Sequence, residues 1–166
     1  MKKIIGILLV ILTLCSCGGK QEIKPRLQGI SFTAEVTYYN EAYSLEGEIL
    51  SDGTLQVAVT APEELKGFNI HMINEDITVE YKGLTYSPIE GTMPFSGVMA
   101  ELYAPIRQIV GSDIMADTEG KIKGGEGVRA YCFTFSPTGL PQKLEIPDES
   151  FEIRFYNVTI KEDVND

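Results

Sequence analysis

The chain has 166 residues, 24 of them acidic against 14 basic, with a formal net charge of −10 and 43% hydrophobic residues. That length suits a single globular domain with a substantial core. The acidic balance excludes the phosphate-neutralising surface of a nucleic-acid-binding protein, and it argues against an electrostatic grip on anionic lipid.

Lys2 and Lys3 open the chain, and Ile4 to Leu14 follow without a charge. As a helix this run of eleven residues rises about 16 Å, well short of the roughly 30 Å hydrocarbon core. It therefore fits the apolar segment of a signal peptide better than a membrane span. The sequence that follows, Leu14-Cys15-Ser16-Cys17, resembles the lipobox of bacterial lipoproteins, in which a small residue precedes the lipidated cysteine. The resemblance implies cleavage between Ser16 and Cys17 and acyl chains on the Cys17 thiol. Bulky Leu14 makes Cys15 the poorer acceptor. One acyl chain binds a bilayer only marginally, at about 0.8 kcal/mol per buried methylene, so the two or three chains implied would make attachment lasting. The chain is then expected at the extracytoplasmic face of the cell membrane, held through Cys17.

The organisation this predicts is a signal peptide over 1–16, lipidated cysteine and tether over 17–29, one domain over 30–160 and an acidic tail over 161–166. Gly18 to Gln28 reads as a flexible spacer. Taking sixteen residues from 166 leaves 150, and the loss of Lys2 and Lys3 moves the charge from −10 to −12. With Cys15 removed and Cys17 lipidated, Cys132 is the one remaining thiol, so no intramolecular disulfide can form. Its setting, Val128-Arg129-Ala130-Tyr131-Cys132-Phe133, points to a small core thiol; an intermolecular bridge is the alternative.

From Ile30 the apolar period is two, the period of strands with one buried face. Phe32, Ala34, Val36 and Tyr38 share a face, then Tyr43, Leu45, Gly47 and Ile49, then Leu55, Val57, Val59 and Ala61 beyond the Ser51-Asp52-Gly53 turn. Phe68, Ile70 and Met72 predict a fourth strand, Ile77, Val79 and Tyr81 a fifth across Asn74-Glu75-Asp76, and Lys82-Gly83 turns into Leu84–Tyr86. Between the third and fourth strands, Pro62 to Gly67 predicts one helical turn, opened by proline and closed by a left-handed glycine. Over 97–111 the spacing of Val98, Met99, Leu102, Tyr103, Ile106, Ile109 and Val110 becomes one, three or four. That is an amphipathic helix with Glu101, Arg107 and Gln108 on its wet side, Ser96 as a candidate cap and Pro105 as a kink. Strands return over Gly127–Phe135, Leu140–Ile146 and Phe151–Ile160. A parity change near Tyr156-Asn157 predicts a β-bulge in the last. The sum is a mainly β fold: about nine antiparallel strands in a curled, incomplete barrel, with one amphipathic helix on its concave face.

Chemistry-bearing residues are sparse. His71 is the sole histidine, lies opposite in parity to Phe68 and Ile70, and has no cluster of partners for a metal. The serines lack a nucleophile elbow. Glu63-Glu64, Glu75-Asp76 and Asp148-Glu149 lie at turns without the oxygen-rich loop that calcium needs. Gly120 to Gly127 looks superficially like a phosphate cradle but leads into a strand and reads as a flexible loop. No catalytic residue, metal or cofactor is expected. Eight tyrosines and seven phenylalanines pack the core in the main, with some left to line an apolar groove.

Two stretches carry a family likeness. Ala61 to Phe68 followed by Asp76 to Leu84, and Gly139-Leu140-Pro141 followed by Phe151 to Val158, resemble LolA-like lipoproteins of Gram-positive, often spore-forming, bacteria. The resemblance implies the incomplete β-barrel of the LolA/LolB lipoprotein carriers, without a catalytic signature. The function it leads us to expect is binding of an apolar ligand, or of another lipoprotein's acyl chain, in a groove lined by Phe32, Val36, Tyr38, Leu45, Val57, Met72, Met99, Leu102 and Ile106. The alternative is an envelope scaffold, for example in sporulation or germination, that works through a protein partner without a ligand.

Overall fold

The computed structural model describes residues 22–73, 76–87 and 94–161, with 94–96 described in the backbone alone. The cleavage and lipidation site at Ser16 and Cys17, the turn residues Asn74 and Glu75 and the tail beyond Lys161 lie outside the described residues, while Ser96, expected as a helix cap, is the third residue of a helix that begins at Pro94.

The alternation becomes strands β1 (Ile30–Tyr38), β2 (Glu41–Ile49), β3 (Leu55–Ala61), β4 (Asn69–Ile73), β5 (Asp76–Tyr81) and β6 (Leu84–Tyr86). Helix α1 (Pro94–Ile109) follows, then β7 (Lys121–Gly124), β8 (Tyr131–Phe135), β9 (Pro141–Ile146) and β10 (Phe151–Ile160). All ten strands form one antiparallel sheet in the order β6-β5-β4-β3-β2-β1-β10-β9-β8-β7. The sheet is curled and unclosed. Its first and last strands pair in the middle, while β6 and β7 form the two edges. The chain passes from one edge to the other through α1.

Every strand but β6, which is exposed throughout, buries apolar side chains on one face. Ile30, Phe32, Ala34 and Val36 of β1 are buried, and so are Ile153 and Phe155 of β10 beside them. Phe155 meets Phe32 edge-on at 5.2 Å and Phe133 of β8 in a stack at 5.8 Å, which joins the two halves of the sheet. Such aromatic pairs add about 0.5–1.5 kcal/mol each beyond the area they bury. α1 contributes Val98, Met99, Leu102, Tyr103, Ile106 and Ile109 to the same core.

Local chemistry sets the register. Tyr39 and Asn40 both have positive φ (46° and 69°), as do Lys82 and Gly83 (51° and 77°). These are the two-residue hairpin turns whose twist matches the strands they join. The expected bulge lies in β10: Ser31 pairs with Thr159 and Thr33 with Tyr156, so Asn157 and Val158 face one residue of β1. Asn157 takes φ 49° and its amide donates to Thr33 Oγ1 at 3.1 Å. The turn after Pro62 is a 3₁₀ turn over Glu63–Leu65, and Gly67 beyond it has φ 89°.

Five expectations need correction. The strands number ten, because Lys121–Gly124 in the glycine-rich stretch is a strand that pairs with β8. A Cβ on Gly124 would lie 2.5 Å from the Tyr131 ring, so the glycine there admits an aromatic ring across the strand. The strand expected from Gly127 begins at Tyr131, after a single 3₁₀ turn over Gly127–Arg129. The helix starts three residues earlier than expected, at Pro94, and runs on through Pro105 to Ile109. Cys132 is half-buried between Tyr131 and Phe133, which are buried, and so belongs to the opposite, outer face of β8.

The fifth correction concerns the spacer. From Ile23 the chain is docked: Ile23 and Ala116 exchange backbone hydrogen bonds of 3.1 and 2.9 Å, and Arg26 N–H donates to the Gly139 carbonyl at 2.8 Å. Leu27 is buried and the Gln28 side chain donates to the Ser51 carbonyl at 2.7 Å. Both Ile23 and Leu27 supply apolar side chains to the core, a role that the mixed composition around them concealed.

Candidate functional site

The residues expected to line an apolar groove come together, but as core. Phe32, Val36, Leu45, Val57 and Met72 of the sheet and Met99, Leu102 and Ile106 of α1 are each 3% exposed or less. All belong to one continuous cluster with Tyr38, which is half-buried at its rim. α1 approaches that rim through Gly97, where an added Cβ would stand 3.0 Å from Tyr38 Oη. These side chains thus pack against one another between helix and sheet.

A cavity of about 90 Å³ lies elsewhere, at the C-terminal end of α1, between Ile109, Ser112, Ile114 and Met115 on one side and Lys24 and Pro25 on the other. It falls well below the roughly 300–1,000 Å³ of ordinary ligand pockets. The end of α1 is itself fixed: Gly111 takes φ 73° and Ser112 Oγ donates to the Ile109 carbonyl at 2.8 Å.

The opposite end of the half-barrel carries the polar residues closest to the helix. Tyr39 Oη donates to Glu149 Oε2 at 2.8 Å, and the Tyr39 and Tyr38 rings meet edge-on at 4.7 Å. Burial, with Glu149 nearby, raises the Tyr38 hydroxyl above its ordinary range. Burial also pushes the Glu101 carboxyl up, and Arg129 pulls it partly back. This gathering of acid, base and phenol was not legible in sequence, since its members come from β1 and the turn after it, α1, and two 3₁₀ turns.

His71 lies on the outer face of β4, between Gln56 and Thr78, and Ile70 and Met72 on either side of it are buried. Among the described residues no group of three His, Cys, Asp or Glu side chains is placed to hold a metal ion. Glu63 pairs instead with Lys66 at 3.3 Å in an exposed contact. No described helix is long and apolar enough to cross a membrane.

No family model and no curated protein matches the chain.

Proposed function

We propose that the chain is a non-enzymatic lipoprotein, anchored through Cys17 at the extracytoplasmic face of the membrane, whose LolA-like half-barrel acts as an interaction scaffold of the cell envelope. The unclosed sheet with a helix on its concave face supports the likeness. One observation carries the choice of a scaffold over a carrier: among the described residues, the helix and the concave face of the sheet bury each other.

The magnitude decides between them. Val98, Met99, Leu102, Ile106 and Ile109 are each 5% exposed or less. At about 1.5–3 kcal/mol per buried aliphatic side chain, withdrawing them would cost roughly 8–15 kcal/mol. A domain's whole stability is about 5–15 kcal/mol. An apolar ligand or acyl chain would have to restore nearly all of that loss to lie where the helix lies. A protein partner binding the outer surface meets no such opposition.

The carrier reading keeps one supporting observation. β6 and β7 are the two edges of the sheet and do not pair with each other, so the barrel is unclosed between them. Native extraction from membranes, followed by lipid mass spectrometry and identification of co-purifying protein, separates the two. A stoichiometric protein partner without bound lipid is the expected result. Recovery of one acyl ligand per chain would overturn the scaffold in favour of the carrier. Cys17→Ala should release the chain from the membrane fraction, and its retention there would refute the anchor.

A further inference from the structure

The anchor and the docked N-terminal segment together set which end of the half-barrel meets the membrane. Five residues, and so six Cα–Cα steps, separate Cys17 from Ile23, where the chain is pinned to Ala116. Fully extended they reach at most about 20–22 Å. A nine-residue strand such as β1 measures about 30 Å. The tether is therefore shorter than the barrel is long, and the end at which Ile23 enters stays near the lipid.

That end is built from the Ile23–Ala116 bridge, the Gly139 turn held by Arg26, the Ser51 turn held by Gln28 and the C-terminus of α1, just beyond which the Val110 side chain stands against Gly53. Ile73 and Ile160 are 52% and 50% exposed at the ends of β4 and β10 here; Ile114 and Met115, 41% and 40% exposed, are consecutive residues of the loop beyond α1. They adjoin Lys24 and Pro25, the residues next to the tether, around the small cavity already described. Charges at this end are mixed, with Lys24 and Arg26 near Asp113 and Asp117, so any contact must rest on apolar insertion.

From this placement we infer that the 112–116 loop is a membrane-contacting surface, with Ile114 and Met115 entering the headgroup layer of the bilayer that holds Cys17. The inference rests on the lipoprotein reading and adds an orientation to it. The end bearing Tyr39, Glu149 and Val128 then points away from the membrane, toward any partner.

The chain has no tryptophan, so one introduced residue becomes a depth reporter. Met115→Trp and Ile114→Trp would each be compared with Val128→Trp, a 61% exposed position in the 3₁₀ turn before β8. Each lipidated full-length variant is reconstituted into phosphatidylcholine–phosphatidylglycerol vesicles with brominated acyl chains. Residues entering the outer 5–10 Å of the bilayer should lose at least about half their emission relative to unbrominated vesicles, while Val128→Trp is unchanged. Equal emission at all three positions in chains that float with the vesicles would overturn the docking and leave the anchor standing. Chains that fail to float would overturn the anchor, and the docking with it.

Discussion

Leu102→Ala asks whether α1 is core or lid. Leu102 is fully buried at the middle of the helix, and Val98, Met99 and Ile106 beside it on the same stripe are equally enclosed. Removing a leucine side chain from so enclosed a site costs about 2–5 kcal/mol through lost transfer and the cavity left behind. With about 2–4 °C of melting temperature per kcal/mol for a domain of this size, a loss of about 3 kcal/mol lowers the midpoint by roughly 6–12 °C. Thermal and urea unfolding, followed by circular dichroism, would measure it. The urea midpoint should fall with the slope unchanged, since helix and sheet unfold as one. A loss below about 1 kcal/mol, or helix melting ahead of the sheet, would refute the account of a filled core and restore the carrier reading.

Three further outcomes are expected. Gly47→Ala places a Cβ 2.6 Å from Phe32 Cζ, so the ring must leave its contact with Phe155; a loss of about 1–3 kcal/mol in denaturant melts is expected. Gly139→Ala meets the Lys24 carbonyl at 2.2 Å from a backbone with φ 86°, and should free residues 22–29 from the body, read as faster proteolysis near Arg26. Glu152 and Glu101 should move stability oppositely with pH. Hydrogen bonds from Lys143 and Arg154 lower the Glu152 pKa, so its contribution is present above the unfolded carboxylate range and is lost as pH falls through the folded value. Burial raises Glu101, so its penalty appears as pH rises from the unfolded value through the folded one. Glu152→Gln should therefore lower, and Glu101→Gln raise, the midpoint at pH 7, with both differences shrinking in acid.

The strands were legible because a period of two on one buried face leaves few alternatives; Ile30 to Tyr38 and Phe151 to Ile160 follow it almost residue for residue. The bulge was legible because a single extra residue inverts that parity. What sequence hid were features that depend on distant partners. Lys121–Gly124 has one apolar residue, Ile122, and becomes a strand only because β8 lies beside it. The apolar neighbours of Cys132 suggest a core thiol, although the alternation of Tyr131, Phe133 and Phe135 puts it on the outer face. Local pattern named the helical stripe and the concave face separately; only the tertiary arrangement makes them fill each other.

The central seam between β1 and β10 joins Ser31 to Thr159, 128 residues away. A chain emerging from a channel with its N-terminus first delivers β2 to β6 early, yet the strand that completes the middle of the sheet comes last. Contacts of such long range form slowly. If Cys17 is lipidated, attachment can precede folding, and the domain assembles while already tethered. Loss of the final ten residues of sheet, Phe151–Ile160, would remove an interior strand and divide the half-barrel in two.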